Sequence, residues 1–158
     1  METEKKFAQM VREQKSTIYI VCYMFSKDRY EVDDLVQEVL VNLWKGFGQF
    51  EGRSGIRTWV YRVSLNTCIS YSRKRRRSEP LPLNVGMNLF DENDSDNRQI
   101  ARLHDRIGRL QPFDRAIVLL WLENLSYEEI GQIVGISAKN VSVRLFRIKE
   151  QLKSMSNE

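Results

Sequence analysis

Apolar residues recur at three- and four-residue spacings along nearly the whole of this 158-residue chain, and no two-residue alternation lasts. Such spacings put side chains on one face of an α-helix, whereas a half-buried strand needs a period of two. The expected fold class is therefore all-α. Phe7, Met10, Val11, Ile18, Val21, Cys22 and Phe25 predict a helix over 4–26, and Leu35, Val36, Val39, Leu40 and Leu43 predict another over 33–45. Gly46, Gly48, Gly52 and Gly55 then crowd one short stretch, which reads as a loop. A helix is expected over 56–75. Its inner face is Ile56, Val60 and Val63, with Trp59 at the margin and Arg57 to one side; Tyr61, Arg62 and Leu65 point away. Further helical patterns cover 98–109, 112–123, 126–134 and 137–154.

Residues 78–97 interrupt this pattern. They hold two of the three prolines together with Asp91, Glu92, Asp94 and Asp96, the composition of a linker. Leu83, Val85, Met87, Leu89 and Phe90 give the same stretch an apolar side that can dock. Two small helical domains, 1–77 and 98–158, joined by a flexible linker over 78–97, are the expected organisation.

A hydrophobic content of 42% and a charged content of 29% are globular values. The net charge of +4 hides an uneven distribution. Eight Lys or Arg and no acid lie between Arg53 and Arg77, whereas Asp28, Glu31, Asp33, Asp34 and Glu38 crowd the segment before it. Neighbouring segments of opposite sign suggest two different partners. Cys22 and Cys68 stand 46 positions apart among apolar residues, and His104 is the single histidine, which argues against a metal site and for a reducing, cytosolic compartment. The charged N-terminus lacks the apolar core of a signal peptide, and no run approaches 18 apolar residues, so no membrane contact is expected. No phosphate loop and no nucleophile–histidine pair is visible, so neither an enzyme nor a cofactor is expected.

The stretch "LSYEEIGQIVGISAKNVSVRLFRIKEQL" (125–152) holds the most specific local pattern. Ser126 and Glu129 are spaced as a capping box, Gly135 suits a left-handed C-cap, and Ser137 caps the next helix. Two short helices around a glycine turn make a helix-turn-helix. Val141, Leu145, Ile148 and Leu152 form the inner stripe of the second helix. The outward face offers Lys139, Asn140, Val143, Phe146 and Arg147, with Arg144 on the flank. Cationic, amide and apolar tips suit the guanine, adenine and thymine-methyl edges of a major groove. A solvated basic face on a helical hairpin is the other reading of the same spacing.

Nearer the N-terminus, Asp34, Gln37, Glu38, Val41 and Lys45 lie opposite the inner face of their helix. An acid pair beside an exposed Val fits a basic, partly apolar partner helix, or simply solvent. Phe47, Phe50 and Trp59 flank the glycine-rich loop, with Arg57 and Arg62 beyond it. Cations among rings are what single-stranded DNA binding needs, although the rings also suit a core.

Three segments together resemble the bacterial extracytoplasmic-function (ECF) sigma factors of the sigma-70 family, the short class with regions 2 and 4 only. "DDLVQEVLVNLWK" resembles the region 2 helix that docks on RNA polymerase. "FEGRSGIRTWVYRVSLNTCISYSRKRRR" resembles the promoter-melting and −10-reading stretch. The stretch from Leu125, approached through "LQPFDRAIVLLWLENLSYEEI", resembles region 4. The chain departs from the family pattern at Ile56, usually aromatic, Ser70, usually Asp, Gly131, commonly Ala, and Asn140, commonly Thr.

The resemblance implies a non-enzymatic sigma factor whose partners are core RNA polymerase, promoter DNA and an anti-sigma protein. It implies Asp34, Gln37, Glu38 and Val41 against polymerase. It implies Phe50, Arg53, Ser54, Arg57, Tyr61, Arg62, Asn66, Arg73, Arg75 and Arg76 on the melted −10 strand. It implies Ser137, Lys139, Asn140, Val143, Arg144 and Arg147 on the −35 element. A stand-alone helix-turn-helix regulator that binds duplex DNA without polymerase is the alternative.

Overall fold

The computed structural model describes residues 2–26, 28–50, 52, 55–78 and 95–156, and only the backbone of 75–78, 95–97 and 156. These residues form α1 (Glu2–Glu13), α2 (Lys15–Met24), α3 (Arg29–Phe47), α4 (Ile56–Ser78), α5 (Ser95–Gly108), α6 (Pro112–Leu122), α7 (Tyr127–Val134) and α8 (Ala138–Ser156). No strand occurs among the described residues, and the fold is all-α. The N-terminal group α1–α4 and the C-terminal group α5–α8 are the two helical domains. Most of the linker expected between them, with the apolar residues Leu83 to Phe90, lies outside the described residues. Its end at Ser95 is already helical.

The single helix expected over 4–26 is two helices. The apolar stripe lapses between Val11 and Ile18, and the chain breaks there, at Gln14. The break lets α1 set Phe7 edge-on against Trp44 and Phe47 of α3, at ring separations of 5.1 and 5.3 Å. Meanwhile α2 buries Ile18, Val21 and Cys22. Helix α3 starts four residues before the expected Asp33, because the Tyr30 amide donates to the Asp28 carboxylate (3.0 Å) and caps it.

Helix α4 packs against α2 and α3, and also against α6 and α7. Tyr61 and Leu65, expected to point away, are therefore 1% and 2% exposed, whereas Val63, expected inside, is only partly buried. The inner face is wider than one stripe and consists of Val60, Tyr61, Ser64, Leu65, Thr67 and Cys68. A polar tie joins α3 to α4: Asn42 donates to Thr67 Oγ1 (2.9 Å), which donates to the Val63 carbonyl (2.8 Å). The Cys22 and Cys68 thiols meet inside this core; their hydrogen bond, with burial, raises the pKa of Cys68 well above a thiol's ordinary value.

The two groups share one apolar core. Arg115 of α6 lays its guanidinium over the Phe25 ring (4.9 Å) and donates to the Gly108 and Leu110 carbonyls at the end of α5 (2.8 and 3.1 Å). His104 Nε2 sits 2.7 Å from the Tyr23 carbonyl, so this nitrogen donates, and its ring lies 4.8 Å from that of Tyr23. Burial pushes the Tyr23 phenol up to about 12.

The capping box forms at α7: the Glu129 amide donates to Ser126 Oγ (3.1 Å) and the Ser126 amide to Glu129 Oε1 (3.0 Å). These bonds, with Arg57 nearby, hold the Glu129 carboxyl below its ordinary value. Gly135 takes φ +86° as the left-handed cap. Gly131 is packed so closely that a Cβ would lie 2.4 Å from the Ile136 carbonyl oxygen. The α7–α8 turn is thus tighter than alanine allows. Gly131→Ala should lower stability by about 1–3 kcal/mol, read as a lower Tm, although alanine is common there in the family the chain resembles. A Tm equal to the wild type would show that the turn relaxes.

Candidate functional site

Three exposed faces carry the chemistry. The first is on α3. Leu35, Val36, Val39 and Leu43 are buried, and this turns Asp34, Gln37, Glu38 and Val41 to solvent. Val41 is 49% exposed, and one turn on, Trp44 is 47% exposed with its edge held by Phe7. Sequence reasoning missed Trp44 as part of this face, although its spacing from Val41 was the available signal. The face is an apolar pair beside two carboxylates, suited to a helix with cations around an apolar stripe.

The second face is the start of α4 and the loop before it. Phe50 stacks on Trp59 at 4.8 Å, and Trp59 continues to Phe47 at 6.4 Å. Arg57 lies over the Tyr61 ring (5.4 Å) and donates to its hydroxyl (3.4 Å). Arg62 donates to the Gln132 carbonyl of α7 (2.7 Å). Asn66 and Arg73 are exposed. Spacings of four and eleven from Arg62 put them on one stripe with it, while Arg57 and Tyr61 stand on a different side. Arg53 and Ser54 lie outside the described residues, as do the side chains of Arg75 and Arg76.

The third face is on α8. Val141, Leu145 and Ile148 are at most 1% exposed, and Lys139, Asn140, Val143, Phe146 and Arg147 point outward. Phe146 is 68% exposed, an apolar ring with no packing role there. Ser137 accepts the Asn140 amide at its Oγ (3.1 Å) as the cap of α8. Arg144, on the flank of this face, is exposed; its guanidinium pairs with Asp114 (2.9 Å) and lies over the Phe113 ring (4.7 Å), which braces α8 on α6. Spacing alone could not reveal this, because Asp114 is 30 residues away.

The chain carries two known sequence regions in order: residues 10–78 match the family model for Sigma-70 region 2, and residues 89–152 that for Sigma-70, region 4. The chain belongs to the sigma-70 family. It is of the ECF type, as its relatives are. The ECF RNA polymerase sigma factor SigG of Mycobacterium tuberculosis (strain H37Rv) is 29% identical over 165 residues, covering 85% of this chain and 44% of SigG. The ECF RNA polymerase sigma factor SigW of Bacillus subtilis is 26% identical over 168 residues, covering 93% and 87%. The chain spans about half the length of the mycobacterial relatives it matches, 44% of SigG and 59% of the Mycolicibacterium smegmatis SigE. Among solved structures, CnrH in complex with the cytosolic domain of CnrY is similar, with a TM-score of 0.71 at 22% identity over 98% of this chain and 89% of that one. So is the sigma factor RpoE with the anti-sigma factor NepR from Bartonella quintana, at 0.74 and 21% over 97% and 98%.

The bracing role of Arg144 in this sigma-70 chain is testable. Arg144→Gln and Asp114→Asn should each lower the Tm, and the double variant should fall short of their sum by about 0.5 kcal/mol, as a partly exposed pair does. Additive effects would free Arg144 for the groove.

Proposed function

We propose that this chain is a sigma factor: it binds core RNA polymerase and directs it to promoters, reading the −35 element with α8 and holding the melted −10 strand on α4 and the loop before it. The observation that carries this reading is one chain with an acidic-apolar face on α3, a basic-aromatic face on α4 and a groove-suited face on α8, in the order of sigma-70 regions 2 and 4.

Each face has a distinct physical task. Asp34, Gln37, Glu38 and Val41, with Trp44, meet a basic, partly apolar helix of polymerase. Phe50, Arg53 and Ser54 belong to the loop that takes a base flipped from the strand. The stack lost on flipping costs a few kcal/mol, and a ring platform offsets it. Arg57, Tyr61, Arg62, Asn66, Arg73, Arg75 and Arg76 hold the opened strand, mainly through phosphate. Lys139, Asn140, Val143 and Arg147, with Phe146 beside them, enter the −35 major groove, and Ser137 meets a phosphate at its edge. Polymerase performs the bond-making chemistry, in the cytosol. An anti-sigma protein that covers the same faces is the expected regulator.

Run-off transcription with core polymerase on a promoter library is the direct test, with specific transcripts expected only when the chain is present. Failure to co-elute with core polymerase on gel filtration would sink the proposal. A protein acting without polymerase would bind duplex alone and be indifferent to Asp34→Ala with Glu38→Ala, which should weaken core binding here.

Arg147→Ala should reduce −35 affinity by about 1–3 kcal/mol if the contact is bidentate to a base. An equal loss on a scrambled −35 sequence would make it a phosphate contact. Gln at each of residues 73–77 should weaken binding on every sequence and flatten the salt dependence. An unchanged slope would place that cluster in solvent.

A further inference from the structure

A cavity of about 330 Å³ opens between α2 and the first turns of α3. Tyr19, Ile20, Tyr23 and Val32 give it apolar walls, and Arg29 and Asp33 complete the lining. Its volume lies at the lower end of the range of small-molecule sites, the scale of one aromatic side chain rather than of a helix. The Tyr19 ring is 41% exposed at this cavity, so its area is not spent on the core.

Arg29 and Asp33 are both exposed, and neither side chain has a partner among the described residues. They stand four positions apart on one helix, where Cβ atoms are about 5–6 Å apart and opposite charges commonly pair. Here they do not. Arg29 is also the first residue of α3, where a cation opposes the helix dipole. Helix stability therefore explains neither the place of Arg29 nor the pair left unmade. The result is a guanidinium and a carboxylate held apart at the edge of an apolar cavity.

We propose that this cavity binds a free amino acid with a large apolar or aromatic side chain. The side chain lies among Tyr19, Ile20, Tyr23 and Val32, the ligand's carboxylate meets the Arg29 guanidinium, and its ammonium meets the Asp33 carboxylate. A guanidinium fork takes a carboxylate through two parallel N–H bonds, and an ammonium is a compact charge that one carboxylate holds. Adjacent charges of opposite sign belong to a free amino acid, because a residue inside a peptide has given up both to its peptide bonds. Asp34, the residue after Asp33, belongs to the α3 face described above, so the cavity borders that face.

The test uses the full chain, labelled with nitrogen-15, and follows backbone amide shifts. L-Tryptophan should shift amides around Tyr19, Tyr23 and Val32 saturably, with a Kd of about 0.1–1 mM, the range open to so small a ligand. Three further probes each remove one feature. Tryptamine lacks the carboxylate, indole-3-propionate lacks the ammonium, and L-alanine lacks the ring. The first two should each bind about three-fold more weakly, the amount one exposed charge pair supplies. L-Alanine should not saturate in the same range; saturation with it would leave the apolar walls without a role and overturn the proposal.

Two variants cross with these probes. Arg29→Gln should weaken L-tryptophan about three-fold and leave tryptamine unchanged, and Asp33→Asn should weaken L-tryptophan about three-fold and leave indole-3-propionate unchanged. A general disturbance of the cavity would weaken every probe alike, and that result overturns the assignment. So does a titration with L-tryptophan that fails to saturate up to about 10 mM, or one whose shifts centre elsewhere. N-acetyl-L-tryptophan amide carries neither charge and stands for a residue inside a peptide. If it binds as tightly as L-tryptophan, the cavity is a docking point for a protein segment and the proposal fails.

Discussion

Helix α4 gives apolar side chains to both halves of the molecule, and this double burial sets what the rest of the chain can do. Val60, Tyr61, Leu65 and Cys68 go into a core to which α2, α3, α6 and α7 all contribute. Burying each such side chain is worth about 1.5–3 kcal/mol, so the helix is fixed by its apolar positions. Its cations must accept the places left over. No acid lies between Arg53 and Arg77, so these cations cannot neutralise one another's field along their own helix. Arg62 turns to an oxygen elsewhere, the Gln132 carbonyl. A helix designed for stability alone would carry its own i,i+4 partners.

Local rules explain what was legible in the sequence. The Ser126–Glu129 box, the Gly135 cap, the Ser137 cap and the Val141–Leu145–Ile148 stripe each depend on residues a few positions apart, and each forms as the spacing requires. The outward set on α8 follows from the stripe by elimination. Tyr61 and Leu65 were misplaced for the opposite reason: α4 packs against α6 and α7 as well as α2 and α3, which helix spacing cannot supply. The break at Gln14 is intermediate: the lapse in the apolar stripe is visible in sequence, but the pull that turns it into a break is the packing of Phe7 against α3.

Rings connect two of the faces. Trp44, Phe7, Phe47, Trp59 and Phe50 touch in succession, from the exposed side of α3 to the loop before α4. Gly46 belongs to the same arrangement: the Trp59 ring lies 3.3 Å from where a Cβ would stand, so the glycine gives the indole its seat. Edge-on and stacked ring pairs are worth about 0.5–1.5 kcal/mol beyond the area they bury. The exposed side of α3 and Phe50, at the start of α4's approach, are thus joined by one continuous ring contact.

The α8 and α4 faces are exposed unequally. On α8, Val143 and Phe146 stay exposed with Lys139, Asn140 and Arg147 around them, while on α4 Tyr61 is buried and Arg62 is bonded to the Gln132 carbonyl. On the proposed reading, the surface that reads intact duplex is open in the free protein, and part of the surface that needs a melted strand is not. Leaving Phe146 in water gains nothing for folding, because its ring packs on no core. Covering Tyr61 does gain, since a buried ring contributes to the shared core. Stability and function thus pull the same way in the free chain. The Tyr61 ring therefore contributes to the fold, and a ligand that needed it bare would have to supply at least the burial it gives up.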